Sequence, residues 1–168
     1  MSAITNLEPK LVWEQFDAIT KVPRPSKKEG KIIEWLIAFA EKHNIEYKRD
    51  AIGNVVMRKP ATAGYENRPT VALQAHMDMV CEKNSDVEFD FENDPIQAYV
   101  DDEGWVRARG TTLGADCGIG MAAALAAAEN GNHKVILLER QARVGRKLQA
   151  TGNGRCNLSN IHASDRGY

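Results

Sequence analysis

The chain has no apolar run of membrane-spanning length, no internal repeat and no low-complexity linker. The first absence excludes a transmembrane helix, which needs about 20 consecutive apolar residues. The opening MSAITNLEPK lacks a basic region followed by an apolar one. It does not read as a secretory signal, so a cytoplasmic protein is expected. Net charge is −1, without the excess of one sign that nucleic acid or an anionic membrane demands. Neither is an expected partner. The three cysteines, Cys81, Cys117 and Cys156, are odd in number and show no CxxC spacing. That excludes a disulfide framework and a Cys-rich zinc site, and it fits a reducing compartment.

What is present is ordinary globular material. The 168 residues are 43% hydrophobic and 27% charged, enough for one domain with a core, or one domain and a fragment. Charge is unevenly spread. From Lys134 onward seven Lys/Arg face only Glu139 and Asp165, about +5, and the preceding residues carry about −6.

The apolar spacing of Leu11, Val12, Phe16, Ile19 and Val22 predicts a helix over 8–22, stopped by Pro23 and Pro25. Ser26 reads as the N-cap of a second helix, with Glu29 as its capping-box partner and an end near His43-Asn44. Strands are expected over 45–50 and 54–59 around an Ile52-Gly53-Asn54 turn, and over 70–75 as a sheet-interior strand. A hairpin is expected from 96–100 and 105–108 around DDEG. Met121 to Glu129 is alanine-rich and helical. KVILLE over 134–139 reads as a buried strand and 142–150 as a helix.

The strand over 70–75 ends on His76-x-Asp78. Period-two alternation puts both side chains on one side, as a metal-ligating imidazole and its orienting carboxylate require. A lone histidine at a strand end is more often a satisfied surface residue. The weight shifts with GTTLGADCGIG, where four glycines surround Asp116 at the mouth of a helix. Imidazole and carboxylate are the donors a hydrolytic zinc site uses.

Further along, ALQAHMDMV, DPIQAYV and ARGTTLGADCGIGMAAALA occur in order, preceded by VPRPS and RDAIGNVVMRKPAT. This set resembles the aminoacyl-histidine dipeptidases, also called cytosolic non-specific dipeptidases, a branch of the co-catalytic zinc peptidases. The likeness covers about residues 1–125. It implies an α/β fold, with a zinc-peptidase-like mixed sheet and flanking helices, truncated here. It implies that His76 ligates one zinc, that Asp78 hydrogen-bonds that histidine, and that Asp116 bridges two zinc ions. The substrates implied are dipeptides, cleaved by a metal-activated water with a glutamate as general base. Cys117 reads as a small turn residue rather than a nucleophile. The family's general base belongs to a Glu-Glu pair a few dozen residues after the bridging aspartate. No Glu-Glu pair occurs in this sequence, and position 146, about where it would fall, is arginine.

From about Met121, MAAALAAAENGNHKVILLERQARVGRKLQATGNGRCNLSN resembles the start of the BaiN-like FAD-dependent flavoproteins. In that likeness Gly120 takes the third glycine of the dinucleotide turn, and Glu139 takes the ribose-binding acid. Ala115 and Cys117 would occupy the first two glycine positions, so the phosphate turn is broken and FAD binding is not expected. A shifted match, Gly118-x-Gly120-x-x-Ala123, fits the pattern but shortens the helix. The expected organisation is therefore a dipeptidase-like front over 1–120 and a Rossmann-like βα fragment over 121–168, joined within about 118–128. Strand Val135–Leu138 is expected to pair with the sheet that holds Val71–Leu73. Three functions follow: a dipeptidase lineage, inactive as this chain; a fragment of an FAD-dependent oxidoreductase; or a non-catalytic metal-binding remnant.

Overall fold

The computed structural model describes residues 3–129. They lie in the first of two compact units, Met1–His133; Lys134–Tyr168 form the second. The expected strand over 134–139, the helix over 142–150, Glu139 and the pairing of Val135–Leu138 all lie outside the described residues.

After a 3₁₀ turn at Ala3–Asn6, helix α1 spans Lys10–Thr20 and α2 spans Gly30–Lys42. Both bury the faces their apolar spacing marks: Phe16 and Ile19 on α1, and Ile32, Leu36 and Phe39 on α2. Helix α2 ends where Asn44 enters the left-handed region (φ 54°). There Ile45 N–H donates to Ala40 O at 2.8 Å and Asn44 N–H to Glu41 O at 3.1 Å, which satisfies the final carbonyls.

Strands β1 (Glu46–Arg49) and β2 (Val55–Arg58) pair antiparallel, with Glu46 opposite Arg58 and Arg49 opposite Val55. The Asp50 carboxylate organises their turn, accepting from Ile52 N at 3.0 Å and Asn54 N at 2.8 Å. Alternation sends Val55 and Met57 to the core and leaves Val56 exposed. Strands β3 (Ala98–Val100) and β4 (Val106–Ala108) form a second antiparallel hairpin, whose turn is held in the same way by Asp101. Helix α3 spans Ala115–Glu129 and packs on α1, burying Met121, Ala122 and Leu125. Its C-terminal carbonyls, Ala127 O and Ala128 O, accept from Lys59 Nζ.

The expected α/β class is therefore present. Two expectations over the front of the chain are corrected. Residues 70–75 form no strand, and Val71 and Leu73 are 78% and 55% exposed. An extended segment becomes a strand when its backbone groups meet a neighbour. The described strands pair only within their two hairpins, so no strand among the described residues pairs with it, and only its end, Ala75, packs against the core. Ser26 is not the N-cap of α2 either. Glu29 stands there without a side-chain cap, and the Ser26 hydroxyl goes elsewhere. Among the described residues no helix is long and apolar enough to cross a membrane.

Helices α1 and α3 approach closely because Gly118 has no side chain. A Cβ there would lie 3.0 Å from Phe16 Cε2 and 2.8 Å from Arg24 Nη2. Gly118→Ala is expected to lower stability by about 1–3 kcal/mol in urea titration, the usual result of overpacking a filled interior. Gly30→Ala, at a helical site with open space around it, is expected to be neutral or slightly stabilising in the same measurement.

Candidate metal centre

The site is built where two chain segments are pinned by one buried cation. Arg24 is 1% exposed. Its guanidinium donates to Met77 O at 3.2 Å, Asp78 O at 3.3 Å and Gly114 O at 2.7 Å. The first two acceptors flank the end of the His76-x-Asp78 segment, and the third belongs to the glycine-rich turn before Asp116. Gly114 has φ +70°, and a Cβ there would fall 2.5 Å from Arg24 Nη2. A side chain at 114 would thus be strained and would displace the guanidinium. Burial pushes the Arg24 pKa down, and the nearby Asp78 carboxylate opposes part of that shift.

Pro23 and Pro25 hold Arg24 in extended backbone. That stretch runs beside the site segment: Met79 N–H donates to Arg24 O at 3.0 Å, Ser26 N–H donates to Met79 O at 3.3 Å, and Pro25 bridges Met79 in parallel. The following residues are clamped from the other side, with Lys83 bridging Thr111 and the Thr112 hydroxyl donating to Val80 O at 2.7 Å.

His76 stands between two carboxylates. Its Nδ1 lies 3.1 Å from Asp78 Oδ1 and its Nε2 3.2 Å from Asp116 Oδ1. Asp78 is fixed in turn, because the Ser26 hydroxyl donates to its Oδ2 at 2.5 Å. This hydrogen bond chiefly holds the Asp78 carboxyl below its usual range; burial opposes it, and the charge of His76 assists. Asp116 sits at the non-helical entry to α3, next to Cys117. Its side chain is fully exposed.

This arrangement has a definite chemical consequence. A neutral imidazole has one N–H and one lone pair. With Nδ1–H directed at Asp78, the Nε2 lone pair faces a carboxylate oxygen, and two acceptors oppose each other. A cation on Nε2, either a proton or a metal ion, resolves the conflict. The 3.2 Å spacing also suits two ligands of one tetrahedral zinc, whose donor atoms at ~2.0–2.1 Å from the ion lie about 3.3 Å apart. A third donor is close: donor atoms of His76, Asp116 and Cys117 all lie within 4.8 Å of one another.

The structure thus brings together His76, Asp78 and Asp116. Gly120 lies in α3, and a Cβ on it would fall 2.6 Å from Cys117 Sγ. Three participants escaped the sequence reasoning: Arg24, Ser26 as partner of Asp78, and Cys117 as a neighbour of His76. The available signal was the arginine between two prolines, since only an extended backbone alongside another segment would use it.

The fold that carries these features is similar to that of known dipeptidases. Over 132 residues, 79% of the chain, the sequence is 51% identical to the cytosol non-specific dipeptidase of Escherichia coli K12, and the match covers 27% of that protein. The crystal structure of aminoacylhistidine dipeptidase from Vibrio alginolyticus superposes with a TM-score of 0.72 at 50% identity, over 75% of this chain and 26% of that one. The chain is therefore homologous to dipeptidases over about four fifths of its length, and it spans about a quarter of theirs. A shorter likeness, 52% identity over 42 residues, links 24% of the chain to 10% of the 3-dehydro-bile acid delta(4,6)-reductase of Clostridium scindens. The matched shares together exceed the whole chain, so the two stretches have residues in common. No protein-family profile matches the chain.

Two outcomes are expected at this site. Arg24→Met keeps the aliphatic bulk but leaves three carbonyls without their donor, so stability in urea is expected to fall by at least ~2 kcal/mol. Ser26→Ala is expected to raise the Asp78 pKa toward its ordinary 3.8, as followed by carboxyl NMR titration. Because the folded value is depressed, its stabilisation is present above the ordinary value and fades as pH falls through the folded one. The stability difference between wild type and Ser26→Ala should therefore shrink in acid.

Proposed function

We propose that the chain is the metal-binding front of a zinc-dependent dipeptidase lineage and that, as these 168 residues stand, it binds a divalent ion without turning over substrate. The observation that carries this is the Nε2 lone pair of His76 facing the Asp116 carboxylate at 3.2 Å, with Nδ1 tied to Asp78. Imidazole, carboxylate and thiol are all zinc donors, so the residues fit the group. His76 and Asp116 would hold the ion, and Asp78, set by Ser26, would keep the imidazole in the tautomer that presents Nε2. When bound, zinc lowers the pKa of a bound water and polarises a carbonyl. Dipeptides are the substrate class, on the strength of the homology.

The missing part is proton transfer. The sequence offers no Glu-Glu pair, and general acid–base catalysis contributes about 10²–10⁴-fold in rate. Zinc-loaded protein is expected to show no hydrolysis of an Xaa-His dipeptide above a zinc-buffer blank. It is expected to retain zinc through gel filtration, read by elemental analysis, and His76→Ala is expected to lose it. Hydrolysis abolished by His76→Ala would overturn the inactivity, and wild-type protein without zinc would overturn the metal assignment.

The second reading, a flavoprotein-like tail over 121–168 joined to the front within 118–128, draws on the 42-residue likeness to a bile-acid reductase. In it Gly120 and Glu139 would be the FAD-facing residues. The broken glycine turn argues against FAD binding, so the purified protein is expected to lack flavin absorbance. A yellow protein whose colour is lost in Glu139→Ala would reverse that assignment.

A further inference from the structure

Cys117 is the one side chain at the metal centre whose chemistry the preceding assignment leaves unused. It is a free cysteine, partly buried, immediately after Asp116. Its sulfur lies over the first turn of α3, in the space opened by the missing side chain of Gly120. The sulfur, the Asp116 carboxylate and an imidazole nitrogen of His76 are mutually within 4.8 Å. The three differ in softness, and a thiolate beside an imidazole and a carboxylate selects a borderline ion such as Zn²⁺ over Mg²⁺ or Ca²⁺.

We infer that Cys117 is itself a metal ligand, and that this chain holds a single borderline divalent ion between His76 Nε2, the Asp116 carboxylate and the Cys117 thiolate. The inference rests on the metal-binding assignment and adds the sulfur donor to it. Donors of a tetrahedral zinc, at ~2.0–2.1 Å for nitrogen or oxygen and ~2.3 Å for sulfur, lie about 3.3–3.6 Å apart. The His76–Asp116 pair already has that spacing. Asp116 is fully exposed, so its carboxylate can turn to meet an ion held between His76 and the sulfur. Binding releases the thiol proton to solvent, so no redox partner is involved. Three protein donors leave a fourth position for water, as in a centre that is not closed off structurally.

Cobalt(II) titration of the reduced full chain under argon tests this, because cobalt reports ligand type without any activity. Visible ligand-field bands together with a sulfur-to-cobalt charge-transfer band in the near ultraviolet are expected. Cys117→Ser is expected to lose the near-ultraviolet band and to bind about tenfold or more weakly, in line with the effects seen when a site's supporting groups are removed. Cys81→Ser and Cys156→Ser are expected to keep the band. Visible bands without the near-ultraviolet one, or a band that survives Cys117→Ser, would overturn the sulfur ligand and leave the His76–Asp116 assignment standing. No cobalt bands at all would overturn both. If Cys117→Ser loses its far-ultraviolet dichroism, alkylation of wild-type Cys117 by iodoacetamide, located by mass spectrometry, replaces it. Protection by zinc is expected there, and an unchanged alkylation rate would overturn the inference.

Discussion

The site depends on one buried guanidinium. Arg24 donates to carbonyls of two segments that no regular sheet joins, the end of the His76-x-Asp78 run and the turn before Asp116. A planar fork with five N–H groups can serve several acceptors in fixed directions, which an ammonium cannot do as rigidly. Burying this charge costs desolvation, and its Nε finds no partner among the described residues. The carbonyl dipoles and the Asp78 carboxylate offset that cost. The clamp brings the backbone around His76 and Asp116 together, and His76 Nε2 lies 3.2 Å from Asp116 Oδ1.

The glycines around Asp116 take their meaning from the same cation. Gly114 and Gly118 both lie where a Cβ would strike Arg24 Nη2, and Gly120 leaves room for the Cys117 sulfur. A glycine-dense turn leading into a helix is also what a dinucleotide phosphate would need. Sequence pattern alone does not separate the two uses. At Gly114, Gly118 and Gly120 the space a side chain would take is occupied by neighbouring atoms.

What the sequence made legible was local. Helices α1 and α2, the β1–β2 hairpin and the Asp101 turn are specified by apolar spacing and by Asp and Gly within a few residues, so their positions could be read directly. The segment over 70–75 has strand composition, but strand formation is a property of a pair, and composition cannot supply the partner. Ser26 fits a capping box by local pattern, yet its hydroxyl binds a carboxylate 52 residues away. The burial of Arg24 has no local cause, since its acceptors lie 53, 54 and 90 residues away. His76, Asp78 and Asp116 were singled out by residue type and spacing, and the structure places His76 between the two carboxylates. Cys117 was not, because its histidine neighbour lies 41 residues back in sequence.

The two carboxylates of the centre are prepared differently, and the difference determines what an arriving ion must organise. Asp78 is half-buried, accepts a hydrogen bond from Ser26 and is held ionised; it sets the imidazole before any ion is present. Asp116 stands at a fully exposed, non-helical helix entry and meets His76 only through Nε2. Ordering an exposed side chain costs on the order of 1 kcal/mol or less, far below the energy of a metal–ligand bond. The centre therefore spends its rigidity on the histidine, whose direction defines the site, and leaves the carboxylate and the adjoining sulfur free to close on an ion. Such a division suits capture of a cation, in line with the proposed metal-binding role, because one group is aimed in advance and the other can adjust.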